Sequence, residues 1–212
     1  MSIIKRVAFF ASETDIPEEY RKEPETKSFF EPDYNMPVGG SLRLIVAGTQ
    51  PDDHTLETAQ WGKAAGQTDP TGTIERESFW ESIKTERSRL CIVLLSGFYV
   101  WKKNGEKEHP FFVRMLNKPI MPVAGVLLGD KSYASIITTS SNPLIQPMSD
   151  KMPLVLNSEQ MKNWLDRKEK QEQFFQEYND TFLLTDFSVL RVTKRVNDLK
   201  NNEKSLIQPI PK

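Results

Sequence analysis

Few residues in this chain could do acid–base, nucleophilic or metal chemistry. There is one cysteine, Cys91, and there are two histidines, His54 and His109. Cys91 lies in the apolar run RLCIVLL, which predicts a buried small hydrophobe rather than a reactive thiolate. Such a set is too small for a typical structural zinc site, so neither metal nor cofactor is expected. A lone cysteine forms no intrachain disulfide, which fits a reducing, cytoplasmic setting. His109 follows a turn and precedes Pro110, and His54 sits in the acidic stretch QPDDHTLE. His109 is expected to be exposed and His54 to lie in an acidic turn, neither as a catalyst. Carboxylates are abundant, but none stands visibly in an apolar strand where burial would raise its pKa. Gly-rich phosphate loops, Gly-x-Ser-x-Gly and His-Glu-x-x-His are all absent from the sequence.

The elements that would position a site are mostly strands. The stretch SGFYVWKKNGEKEHPFFVRM reads as two strands around a turn at Asn104-Gly105. Its first strand carries more aromatic bulk than one buried face requires, so its second face is expected to be an interface or a site. Further strands are expected at residues 2–11, in LRLIVAG and TLETAQWG, in RLCIVLL, PIMPVAGVLL and YASIITT, and in TFLLTDFSVLRV. Residues 12–24 read as a short helix or turn, KSFFEPDYNMPVGGS as loop, and KSLIQPIPK as extended. Ser78 to Glu81 forms a capping box ahead of a short helix. A longer helix is capped by Asn157 or Ser158, with Met161, Trp164 and Leu165 on one face and the charged run DRKEKQEQ continuing it.

Many strands and few helices predict an α+β fold with a mostly antiparallel sheet. No boundary divides residues 1–212, and a single domain of this length can bury a sizeable core. The formal net charge is -1, which disfavours a surface coated with basic charge but allows a local basic groove. No apolar run reaches the ~18 residues of a membrane span, and the start MSIIKRVAFFAS lacks the layout of a signal peptide. The chain is expected to be a monomer without membrane contact.

The order of short motifs says more than any one of them. YNMPVG is followed by WG, SFW, GFYVWKK, PFFV, PIMPVAGV, SIITTSSNPLIQPMSDKMPLVL and a closing LIQP. This series resembles the SOS response-associated peptidase (SRAP) family, whose domain processes abasic sites by crosslinking to DNA. The resemblance implies a twisted, barrel-like core of antiparallel strands with peripheral helices. It also implies a chemistry. The family's exposed N-terminal cysteine condenses through its α-amine with the aldehyde of an abasic site in single-stranded DNA, and its thiol closes a thiazolidine ring. An Asn, a Glu and a His assist.

This chain departs from that pattern at every one of those positions. Ser2 stands at the cysteine position, Gln67 at the Asn, Val100 at the Glu in GFYVW, and Ser149 at the His in SDKMP. Scattered drift would not concentrate on the reacting groups while sparing the motifs around them, so loss of crosslinking is expected. An exposed Ser2 α-amine could still form an imine, but a hydroxyl is a far weaker nucleophile than a thiolate. Val100 cannot move protons, and Ser149 does not titrate near neutrality. The resemblance places single-stranded DNA contacts at Lys5, Arg6, Asn35, Pro37, Trp101, Thr138 and Lys151. Glu77 and Asp69 put negative charge close to where phosphate would approach. The expected partner is single-stranded or damaged DNA. The alternative is a pseudoenzyme whose cleft takes a protein or peptide.

Overall fold

In the computed structural model, the described residues are 4–24, 26–48, 53–62, 72–79, 88–129, 133–166, 174–175 and 184–210. Their strands form two sheets. The first has five strands in the order β12-β8-β7-β1-β2: Phe187–Arg191, Lys107–Met115, Gly97–Asn104, Arg6–Phe9 and Asp33–Pro37. The second contains β3 (Ser41–Ala47), β4 (His54–Trp61), β6 (Ser88–Leu95), β9 (Met121–Leu128), β10 (Tyr133–Ser140) and β11 (Lys151–Pro153), with β5 (Thr73–Glu75) beside β10. Most pairings are antiparallel; β10 runs parallel to β4 and β5. In the second sheet β3 pairs β4 and β6, β6 pairs β9, β9 pairs β10 and β10 pairs β4, so the pairings return to their start.

Alternation along the strands sorts the core into layers, because successive side chains point to opposite faces. Leu42, Leu44 and Val46 of β3 and Cys91, Val93 and Leu95 of β6 meet Val7, Phe98, Val100 and Val113 of the first sheet. Ile45, Ile92 and Leu94 point the other way, toward Phe29, Phe79 and the helix α1 (Ser158–Leu165). Asn157 caps α1: its side chain accepts from the Gln160 backbone N–H at 2.8 Å, and the Gln160 side chain accepts from the Asn157 N–H at 2.9 Å. Met161 and Trp164 are buried on its inner face, and the Trp164 indole N–H donates to the Cys91 carbonyl at 2.9 Å. Cys91 is fully buried, and burial pushes its thiol well above the ordinary range.

The structure corrects several expectations. Asp33–Pro37 is a strand, not loop; it pairs with β1 as an edge, where Pro37 gives up no ladder bond to a further neighbour. RLCIVLL and GFYVW are separate strands as expected, but they belong to different sheets, the chain leaving one at Leu95 and entering the other at Gly97. Residues 12–24 hold short turns as expected, both of the 3-10 type, Glu13–Asp15 and Glu18–Tyr20, whereas the closing segment, expected to be extended, holds another at Lys204–Ile207. The hairpin turn is centred on Gly105-Glu106, with Asn104 still paired to Lys107 and Gly105 at φ 59°. His54 opens β4, buried against the Tyr20 ring, rather than lying in a turn. Glu57, on β4, is 3% exposed and pairs with Arg89 at 2.9 Å, so a strand expected to hold no buried carboxylate does hold one. Ser78 closes a 3-10 turn, Arg76–Ser78, and the helix expected after it lies outside the described residues. So does the run DRKEKQEQ beyond Asp166.

The second face of β7 is not an open cleft. Tyr99 and Phe112 are covered by Val192, Val196, Leu206 and Ile207, and Trp101 packs at the margin of this cluster. The surplus aromatics on that strand are therefore mainly an intramolecular interface. Among the described residues no helix is long and apolar enough to cross a membrane.

Candidate nucleic-acid interface

A groove of about 590 Å³ opens where β1 and the β7–β8 hairpin meet the turn before β11. Lys5, Arg6, Trp101, Lys103 and Glu108 line it from the first sheet, and Asn197 from the segment that follows β12. Gln146, Pro147, Met148, Ser149 and Asp150 line it from the turn. Arg6 is half-buried at the start of β1, where its Nη1 donates to the Lys5 carbonyl at 2.8 Å and its Nε has no partner among the described residues. Burial holds its pKa below the ordinary arginine value, a shift that leaves the guanidinium charged. A charged group only partly satisfied by protein gains most from an anionic ligand.

Trp101 stands at the margin with its indole N–H donating to Asn197 Oδ1 at 2.9 Å. That bond fixes the ring at the groove's edge, a geometry suited to stacking with a base. Lys103 pairs with Glu108 at 3.7 Å. With both groups largely exposed, such a pair is weak and leaves the ammonium available.

The other expected contact residues are distributed differently. Lys151 does not line the groove. It meets Glu75 at 3.1 Å and Glu77 at 3.6 Å. Burial works against its charge, but the hydrogen bonds and charges of these two carboxylates outweigh it, and its pKa is raised. Thr138 is buried on β10 opposite Glu75 and Pro153, with its hydroxyl donating to the Ile74 carbonyl at 3.4 Å. Asn35 is 3% exposed, and its amide donates to the carbonyls of Val196, Asp198 and Asn201 at 3.0–3.2 Å. It clamps the residues that cover β7. Pro37 ends β2 opposite Arg6. The groove thus brings together Lys5, Arg6, Trp101 and Ser149, and leaves Asn35, Thr138 and Lys151 in structural contacts.

The family description SOS response associated peptidase (SRAP) matches residues 4–199. The chain belongs to the SRAP family. Curated relatives include the abasic site processing protein YoqW of Bacillus subtilis, 29% identical over 142 residues, which are 63% of this chain and 62% of that protein. The chain thus spans less than two thirds of that relative's length. The abasic site processing protein YedK of Escherichia coli is 28% identical over 217 residues, covering 93% of this chain and 90% of that protein. Among solved structures, a protein of Bacteroides thetaiotaomicron superposes with a TM-score of 0.74 at 17% identity, covering 97% of this chain and 99% of its own. A Bordetella bronchiseptica protein gives 0.68 at 12% identity, covering 89% and 99%. At these identities the structural likeness speaks for the fold alone.

Of the four residues expected at the family's reacting positions, two lie among the described residues. Val100 is 3% exposed and belongs to the inter-sheet core with Ile4, Met36 and Ile145. Ser149 lines the groove, and its hydroxyl donates to the Lys151 carbonyl at 2.6 Å, closing a local turn. Neither side chain titrates near neutrality, so neither can act as a general acid or base there. Ser2 and Gln67 lie outside the described residues. Sequence reasoning missed Gln146, Met148 and Asn197 as groove residues. No periodicity marks them; they meet the β7–β8 hairpin only through the fold.

Proposed function

We propose that this SRAP-family chain holds single-stranded or damaged DNA in the Lys5–Arg6–Trp101 groove and does not crosslink to it. The observation that carries the reading is the contrast between the groove lining and the residues expected at the family's reacting positions. The groove keeps cations and an indole for phosphate and base, whereas the Glu and His positions of the family hold buried Val100 and a serine engaged with backbone. Phosphate contacts supply most of the affinity for a single strand, and aromatic stacking adds a sequence-tolerant part. Without a proton-transferring side chain beside the aldehyde, imine formation and ring closure lose their assistance. The naming of the relatives as abasic site processing proteins supports an abasic or otherwise damaged strand as the ligand. The closed circuit of strand pairings supports reading the core as barrel-like.

The test mixes the purified protein with abasic single-stranded oligonucleotide, with and without borohydride, and resolves the products on a denaturing gel. The expected result is no covalent adduct in either lane, together with saturable binding by fluorescence anisotropy at low salt. A borohydride-independent adduct would overturn the loss of crosslinking. An absence of binding at low salt would overturn the DNA reading and leave a protein or peptide ligand.

A further inference from the structure

The β7–β8 hairpin extends past the inter-sheet core, and its overhang is cationic. Residues directly opposite in an antiparallel pair share a face. Val100 opposes Phe111, and Phe111 opposes Arg191 of β12, so these three share the face that packs into the core. The next pair outward on that face is Lys102 and His109, and Lys107 follows two residues from His109. Arg191 Nη2 lies 3.0 Å from His109 Nδ1, which confirms that the two strands present these side chains together. Desolvation first, and then the charges of Arg191, Lys194 and Lys107, hold the His109 pKa below the ordinary value. Arg191 can only donate, so in the neutral imidazole Nδ1 is the acceptor of this bond.

Lys102, Lys107, Arg191 and Lys194 are exposed, and among the described residues none is in an ion pair with a carboxylate. Glu108 points to the opposite face, where it meets Lys103, and Glu106 sits in the turn. Four cations gathered on one overhang repel one another and are stabilised by a polyanion. The overhang is also continuous with the groove. Lys102 points to the hairpin face opposite the groove residues Trp101 and Lys103, so the link runs through Lys194, which opens the 3-10 turn Lys194–Asn197 whose last residue is in the groove wall.

We propose that Lys102, Lys107, His109, Arg191 and Lys194 form a second phosphate-binding surface, over which a nucleic-acid single strand leaving the groove continues. This rests on the groove's binding DNA, and the experiment separates the two. Anisotropy is measured with labelled oligothymidylates of about 6 and about 20 nucleotides, which bracket typical single-strand site sizes. Three proteins are compared: the wild type, Lys5→Glu/Arg6→Glu and Lys102→Glu/Arg191→Glu. The second pair should leave short-oligonucleotide affinity within about twofold and lower long-oligonucleotide affinity about tenfold. Its log–log salt slope on the long strand should fall by about 0.7 for each phosphate that the overhang no longer neutralises. Equal weakening at both lengths, or no change at either, would overturn the proposal. If the groove pair changes nothing while the overhang pair weakens the long strand, the groove reading fails and the overhang stands. Polyglutamate competing as well as oligothymidylate of matched charge would overturn the nucleic-acid assignment.

Discussion

Lys5, Arg6 and Lys103 reach the groove from the first sheet, and Lys151 stands behind its other wall on the second. Among the described residues, neither Lys5 nor Arg6 is in an ion pair, and Lys103 has one exposed partner at 3.7 Å. Lys151 is held by two carboxylates at 3.1 and 3.6 Å. A count of basic residues in the motifs treats these positions alike. The fold does not, because β5 runs parallel to β10 and, with the 3-10 turn that follows it, carries Glu75 and Glu77 to the base of β11. The charge available to phosphate is therefore on one wall only.

The strongest break of that contrast starts beneath the first wall. Val100→Glu places a carboxylate in the inter-sheet core, where burial without a partner costs about 3–5 kcal/mol. A large fall in the urea midpoint is expected. No adduct with abasic DNA should appear, because Ser2, Gln67 and Ser149 remain; an adduct formed by this single variant would refute the account of absent crosslinking chemistry. Next in size, Lys5→Glu/Arg6→Glu should weaken single-strand binding about a hundredfold at low salt, since two favourable charges become two repulsive ones. Smaller and opposite in sign, Glu75→Gln/Glu77→Gln should free Lys151 and raise affinity about threefold in the same titration; an unchanged affinity would mean that Lys151 cannot reach the strand even when released. The smallest effect sharpens the contrast from the other side. Lys151→Ala should alter affinity by less than about twofold, against the much larger weakening expected from Arg6.

Local pattern made much of the fold legible. The apolar runs LRLIVAG and RLCIVLL marked strands, whose two faces the fold sends into different cores, and a helix cap at Asn157 or Ser158 was readable, of which the structure selects Asn157. The resemblance carried the family. What stayed hidden depends on contacts distant in sequence. Glu57 looks like one polar position of an alternating strand, and only the fold brings Arg89 to it. Asn35 reads as part of a loop motif because its three acceptors lie more than 160 positions away. The surplus aromatics of β7 suggested a ligand face, but the side chains that bury them come from residues 192–207. For the groove, Lys5, Arg6 and Trp101 were readable, and Gln146, Met148 and Asn197 were not.

The Asn35 clamp bears on how the protein is made. A ribosome delivers Tyr99 and Phe112 long before it delivers Val192, Val196 and Leu206, which cover them, or the carbonyls that Asn35 binds. For much of synthesis the nascent first sheet carries a bare aromatic face, the kind of surface that chaperones shield and that aggregates when left open. A chain stopped before residue 192 would keep that face exposed. Covering that face therefore waits on residues 192–207, about eighty positions beyond Phe112.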